Sequence, residues 1–234
     1  MSIIQPENYI KHICINNHKF SGLCHIFFNS AYVRYFEKYK LTQIVNLNTI
    51  QIYSIKLQED AYIAVIRNGA SLSAIDFEVL IYWGFTEFIV YGYACSIGNG
   101  NLGNLFLIEK AYIGEGVSRY YTNNKEKQYV VPSITLNNKI LQKLSRAHKI
   151  HMANCYTTDA LFMETKQLVD SLIRLKIDCI DMECSALTTI SNYRNINISF
   201  IFAISDTIRN GKWEYNNKIN LRETLVNVLL SLYL

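Results

Sequence analysis

The chain has no run of five or six like charges, no CxxC pair and no apolar stretch long enough to cross a bilayer. Each absence removes a class of function. Its 23 basic and 19 acidic residues give a formal charge of +4 but no concentrated basic stripe, so no nucleic-acid partner is expected. The densest basic stretch, residues 139–149, spaces its charges with apolar residues, as on a solvated helix face. Residues 225–234 form the most apolar C-terminal stretch, far short of the roughly 20 residues of a membrane span. They read as a packed terminal helix, and no membrane partner is expected.

The opening MSIIQPENYIKHICINN lacks a basic start, an apolar segment and a small-residue cleavage site, which leads us to expect a cytoplasmic protein. Cys14, Cys24, Cys95, Cys155, Cys179 and Cys184 stand singly and read as reduced, buried small hydrophobes. His148 and His151 form the only close histidine pair, with no cysteine or carboxylate in a matching frame, so no metal is expected. There is no long linker, low-complexity segment or internal repeat. One domain over residues 1–234 is the simplest organisation.

What the chain does have is apolar material, 50% of its residues, arranged in alternation. Strand-like runs rich in Ile, Val, Phe and Tyr cover residues 22–28, 44–57 (one or two strands), 61–66, 87–93, 105–113, 150–155, 177–182 and 198–205. Helical periodicity covers a segment beginning near Ser71 and Ser73, which are candidate caps, and ending at Gly84. It recurs over residues 136–147, 165–175, 183–194 and 221–233. Residues 125–128 read as an exposed loop. The pattern predicts an α/β domain with a central mixed, twisted sheet covered by helices on both faces.

Gly98, Gly100 and Gly103 spell GxGxxG, the dinucleotide-binding pattern. That motif needs a helix directly after it to hold the pyrophosphate, but LFLIEKAYI follows, which is strand-like. No acid lies about 20 residues on, where the ribose contact belongs. The glycines read as a tight loop between strands, and no cofactor is expected.

Two carboxylates stand out. Glu183, in DCIDMECSAL, follows a buried strand and opens a helix. Asp206 follows the very apolar ISFIFAIS. Both positions read as carboxyl ends of strands, where open α/β sheets place ligands. Structural roles are open to both: Glu183 as a first-turn acid complementing a helix dipole, and Asp206 as a helix or turn cap.

Five strings bear on that choice: RNGASLSAIDFEVLIYWGFTEFIVYGYACSI (67–97), AYIGEGVSRYY (111–121), CYTTDALFMET (155–165), DMECSALTTISNYR (181–194) and FAISDTIR (202–209). In order and spacing they resemble the purine nucleoside phosphorylase and uridine phosphorylase family, whose superfamily also contains methylthioadenosine/adenosylhomocysteine nucleosidases. The resemblance implies that Met182 and Glu183 are the family's Met-Glu, with Glu183 on the ribose hydroxyls. It implies that Asp206 protonates the leaving base at N7, assisted by Arg222. Ser205-Asp206 points to a purine. Leu161 and Phe162 match an aromatic pair that packs on base and sugar, Leu161 being a departure. Gly92 and Tyr93 fall at the substrate. The chemistry wants two carboxyls of separated pKa: Glu183 ionised, and Asp206 protonated by an apolar setting or a hydrogen-bonded neighbour.

The resemblance thins where phosphate should bind. The family's Gly-Asp-Pro-x-Arg loop corresponds to IFFNSAYVRYF (26–36), which has neither glycine nor proline and holds Arg34 out of frame. A second phosphate arginine is replaced by Val90, and the adjacent hydroxyl by Ala94. Arg34, Arg67 and Arg119 remain as substitutes. The implied activity is phosphorolysis of a purine nucleoside, with phosphate as co-substrate. The first alternative is a phosphate-independent nucleosidase, with Glu37 nearest to positioning water. The second is a non-catalytic nucleoside-binding protein. The resemblance also implies a homodimer or trimer of dimers, with His12 and His18 candidates by location to reach a neighbouring ribose.

Overall fold

Strand alternation in the sequence becomes one continuous sheet in the computed structural model, which describes residues 3–13, 18–57, 60–215 and 220–233. In chain order its elements are α1 (Pro6–Ile13), β1 (Leu23–Phe27), a 3₁₀ helix over Ser30–Tyr39, β2 (Thr42–Asn46), β3 (Gln51–Lys56), β4 (Asp60–Val65), α2 (Ala70–Tyr82), β5 (Glu87–Ser96), β6 (Leu105–Gly114), α3 (Ser118–Tyr121) and β7 (Tyr129–Val130). There follow α4 (Ile134–Leu144), β8 (Ile150–Thr158), a 3₁₀ turn over Leu161–Met163, α5 (Lys166–Arg174), β9 (Cys179–Asp181), α6 (Cys184–Arg194), β10 (Asn197–Arg209), β11 (Lys212–Tyr215) and α7 (Leu221–Ser231).

The sheet runs β11-β10-β6-β8-β9-β5-β1-β4-β3-β2, with β7 added to β6. Because β10 also pairs in parallel with β5, the strands β5, β10, β6, β8 and β9 close on themselves, while β1, β4, β3 and β2 extend outward from β5. Pairing is mixed: β1, β4, β5 and β10 run parallel, whereas β9 lies antiparallel to β5, and β6 antiparallel to β10.

Central strands explain the long apolar runs. Residues alternate across a strand with period two, and β5 and β10 bury both faces. Phe88, Val90, Phe200, Phe202 and Ile204 pack with Phe77, Leu187 and Ile190 of α2 and α6. Ile89, Tyr91, Ile201 and Ala203 pack on the opposite face with Leu136, Leu225 and Leu229 of α4 and α7. Burying a large apolar side chain stabilises by about 1.5–3 kcal/mol, so this double-faced burial fixes the register of β5 against β10.

Three expectations need correction. Neither Ser71 nor Ser73 caps α2; the N-cap is Gly69 at φ 83, and the Ser73 hydroxyl donates instead to the Ala70 carbonyl. Asp206 does not follow the strand. β10 continues to Arg209 and turns through Asn210 and Gly211, both at positive φ, into β11. A two-residue turn of this kind matches the twist of its strands. The sequence reading also passed over α1, the Ser30–Tyr39 helix, β7 and β11. The Gly98–Gly103 loop leads into β6, not a helix. Gly100 sits where a Cβ would lie 2.5 Å from the Phe106 ring, and Gly103 has φ 82.

Candidate active site

Glu183 stands at the junction of β9 and α6, and its neighbour Asp181 makes that junction. Asp181 Oδ2 accepts from the Glu183 and Cys184 backbone N–H groups at 2.9 and 2.6 Å, satisfying the first donors of α6. Its Oδ1 accepts from Thr157 Oγ1 at 2.6 Å, and Thr157 Oγ1 accepts from the Ser185 N–H at 2.8 Å. The Glu183 carboxylate is therefore not needed to cap α6, although Glu183 holds the N-cap position. It reaches across to α2, where Oε1 accepts from the Gly69 N–H at 2.5 Å.

Glu183 is 8% exposed. Burial, and then the charge of Asp181, push its carboxyl up to about 8 against the opposing Gly69 and Met182 backbone hydrogen bonds. Burial raises Asp181 as well, but its donors from Thr157, Glu183, Cys184 and Cys155 hold it down. Of this pair, Glu183 is the member that keeps a proton to higher pH. Against the expectation of an ionised Glu183, burial and the neighbouring Asp181 carboxylate both favour its protonated form.

Asp206 is aimed by an irregularity. The pairing of β10 with β5 shifts register between Ile204 and Asp206, leaving Ser205 as the extra residue and setting Asp206 opposite Cys95. Such bulges redirect side chains. Ser205 Oγ donates to Asp206 Oδ1 at 2.5 Å, and the Trp213 indole Nε1–H donates to Oδ2 at 2.7 Å. The setting of Asp206 is accordingly polar rather than apolar. Glu164 lies close enough that Asp206's charge adds to burial in pushing its carboxyl up to about 7. Cys95, likewise, is raised by burial and then by Asp206.

The sheet joins the two carboxylates. Cys95 of β5 pairs with Asp206 of β10 on one side and with Ile180 of β9 on the other. Since β9 runs antiparallel to β5, the chain leaves Ile180 in the direction of Gly92 and reaches Glu183 three residues on. Gly92 itself is pressed against the Phe202 ring, 3.1 Å from where a Cβ would stand. Met182 is half-buried, while Leu161 and Phe162, on the 3₁₀ turn after β8, are 49% and 97% exposed.

Arg222, in the first turn of α7, lies beside the hydroxyls of Tyr93 and Tyr32. Its buried Nε has no hydrogen-bond partner. The bonds to Asp206 come from Ser205 and Trp213, and among the described residues no hydrogen bond joins it to Arg222.

The candidate phosphate ligands fare differently. Val90 is fully buried in the core and Ala94 nearly so. Arg67 is taken: its Nε and Nη2 donate to the buried Asp76 at 2.9 and 2.6 Å, and its N–H adds a third bond. Arg34 is exposed and donates to Tyr35, while Arg119 lines a separate hollow with Lys125 and Lys127. Glu37 and His12 are exposed, and His18 packs against Phe20 and Trp83. Sequence reasoning missed Asp181, Glu164, Tyr32 and Trp213. Only Asp181 had a visible signal, an acid two residues before Glu183 at a helix start.

The family model of the phosphorylase superfamily matches residues 31–232, which takes in every strand from β2 to β11 and both candidate carboxylates. A match over nearly the whole chain settles kinship: this chain belongs to the phosphorylase superfamily, whose members are nucleoside-processing enzymes.

Proposed function

We propose that this protein cleaves the N-glycosidic bond of a purine nucleoside, transferring the ribosyl group to phosphate. One observation carries the reading: Cys95 of β5 has Asp206 on one flank and the strand leading to Glu183 on the other. A nucleoside lying along the end of β5 meets a proton donor at its base and a carboxylate at its sugar. As the C1′–N bond breaks, the electron pair leaves with the base, Asp206 supplies a proton to N7, and phosphate oxygen attacks C1′. Ionised Glu183 accepts hydrogen bonds from the ribose hydroxyls and favours the cationic sugar.

Phosphate as acceptor is supported by Arg222, whose buried Nε has no partner and which faces two tyrosine hydroxyls. No other cofactor enters this reading. Assembly as a homodimer or trimer of dimers belongs to it too. Ile4, Ile75, Tyr120 and Tyr193 line one apolar hollow and are all large exposed hydrophobics. A nucleosidase is the second reading, favoured by the buried Val90 and by the capture of Arg67 by Asp76.

The test is incubation of the purified protein with purine nucleosides, including 5′-methylthioadenosine, with and without phosphate, followed by chromatography of free base. Base release that requires phosphate is expected. Equal release without phosphate establishes the nucleosidase. No release from any nucleoside, with binding retained, removes catalysis altogether.

A further inference from the structure

We propose that Trp213, on β11, is the aromatic platform of the base site and the group that holds Asp206 toward the base. This inference rests on the functional reading above and adds to it the residue that selects a planar heterocycle.

Across the β10–β11 hairpin Asp206 pairs with Tyr215 and Ile208 with Trp213, which makes Trp213 the diagonal neighbour of Asp206 on the same face. The indole Nε1–H donates to Asp206 Oδ2 at 2.7 Å, so the ring edge is tied to the acid. The other Asp206 oxygen is held by Ser205. Trp213 stacks on Tyr215, centroids 4.9 Å apart and 24° between planes, yet the two remain 62% and 63% exposed. Two stacked aromatic rings at the surface, one bonded to a carboxylate, leave an apolar face bare. A purine covers such a face by stacking, which tolerates many bases and is worth about tenfold or more in affinity per aromatic platform.

Two further features fit. Leu161 leaves only one ring, Phe162, on the other aromatic segment. The second ring is then supplied by Trp213, from a different element. The two-residue turn at Asn210 and Gly211 is the hinge of a short hairpin and fixes its twist, so the platform is placed by the same strand that carries Asp206. When Asp206 gives its proton to the base, the new carboxylate keeps its indole and hydroxyl donors, and the base stays stacked beside them.

Tryptophan emission reads this directly. The chain has two tryptophans, and Trp83 is 1% exposed in the core, so the solvent-exposed emission belongs to Trp213. Adenine, hypoxanthine and guanine are titrated into the intact protein, following emission and, in parallel, heat by calorimetry. Each base that binds is expected to quench and blue-shift the emission, with the same midpoint as the heat. In Trp213→Phe the optical change is lost, while the dissociation constant moves by less than about threefold, because a ring remains. In Trp213→Ala the dissociation constant rises about 10- to 100-fold. Trp213→Phe also lowers kcat more than it raises KM, since the tie to Asp206 is gone while stacking persists. Heat without any change in emission, or Trp213→Ala binding like the parent, overturns the platform and leaves the functional reading standing. No heat from any base overturns both. The hairpin is exposed, and an unchanged melting temperature for both variants confirms that they fold.

Discussion

The two ends of the site are built on opposite plans. Around Glu183 the polar groups are tied to the protein: Asp181 takes the α6 donors, Thr157 braces Asp181, and the Gly69 N–H at the start of α2 donates to the Glu183 carboxylate. Around Asp206 the surface stands open, with Trp213 and Tyr215 both large and exposed, as are Leu161 and Phe162 on the 3₁₀ turn that precedes Glu164. One end is a closed, desolvated lock; the other is a hairpin and a 3₁₀ turn awaiting a planar partner. A closed site gains precision from packing but must give up an internal bond to admit substrate. An open one gains its shape, and its exclusion of water, only when the ligand arrives.

The largest way to break this contrast is at the proton donor. Asp206→Asn keeps the shape and both hydrogen-bonding neighbours but carries no proton to give. Nucleoside cleavage is expected to fall by about 10²–10⁴-fold with KM little changed, read by free-base release. A fall in binding of the same size, with kcat preserved, assigns Asp206 to recognition instead.

Next comes the closed end, where the effect is on pH. The Glu183 carboxyl is raised to about 8 in the folded protein from 4.5 in an unfolded chain. The folded state therefore holds the extra proton, so this contribution to stability is complete below about pH 4.5 and is lost as pH rises toward 8. Glu183→Gln, isosteric and uncharged, is expected to melt higher than the parent at pH 8.5 and alike at pH 5, the gain being on the order of a few kcal/mol. Catalysis moves the other way: if ribose needs the ionised form, parental kcat/KM rises with pH toward about 8, and Glu183→Gln loses both the rise and the activity. Equal melting of the two proteins at both pH values would show that the Gly69 and Met182 hydrogen bonds hold Glu183 ionised despite burial.

How far the sequence foretold this contrast follows from what packing does to polar residues. The alternation of apolar strands and helices was legible because β5 and β10 bury both faces, and such strands have to read as unbroken Ile, Val and Phe. The place of Glu183 was legible too, since a strand must end before a helix begins. Its partner was not: Gly69 lies 114 residues away and donates through a backbone N–H that no side chain announces. Asp206 was misplaced for a related reason. Ser205 and Asp206 look like the end of an apolar run, yet a register shift lets β10 absorb them and continue to Arg209. Trp213, seven residues on, meets Asp206 only because Asn210 and Gly211 fold the chain back.

A smaller effect sharpens the open end. Glu164, raised to about 7 by burial and by Asp206, carries a proton in acid and a charge in base. Glu164→Gln removes a carboxyl that changes charge near pH 7, so any change of kcat/KM centred there is expected to flatten. The pH profile of kcat/KM checks it, and a profile identical to the parent's means that Glu164 takes no part in the reaction.

The smallest effect is also the cleanest measure of whether the open end lacks anything. Leu161 is 49% exposed, so Leu161→Phe costs little stability, within about 0.5 kcal/mol. It adds a ring to the 3₁₀ turn beside Phe162. If Trp213 already covers one face of the base, the new ring finds that face occupied, and base affinity improves by no more than about threefold. In the Trp213→Ala background the same substitution has a vacant face to fill, and there the improvement should approach tenfold. The two gains, compared by calorimetry on one base, form a double-mutant cycle whose coupling term separates replacement from addition. Equal gains in both backgrounds place the Leu161 and Trp213 rings on independent surfaces; unequal gains place them on the same base.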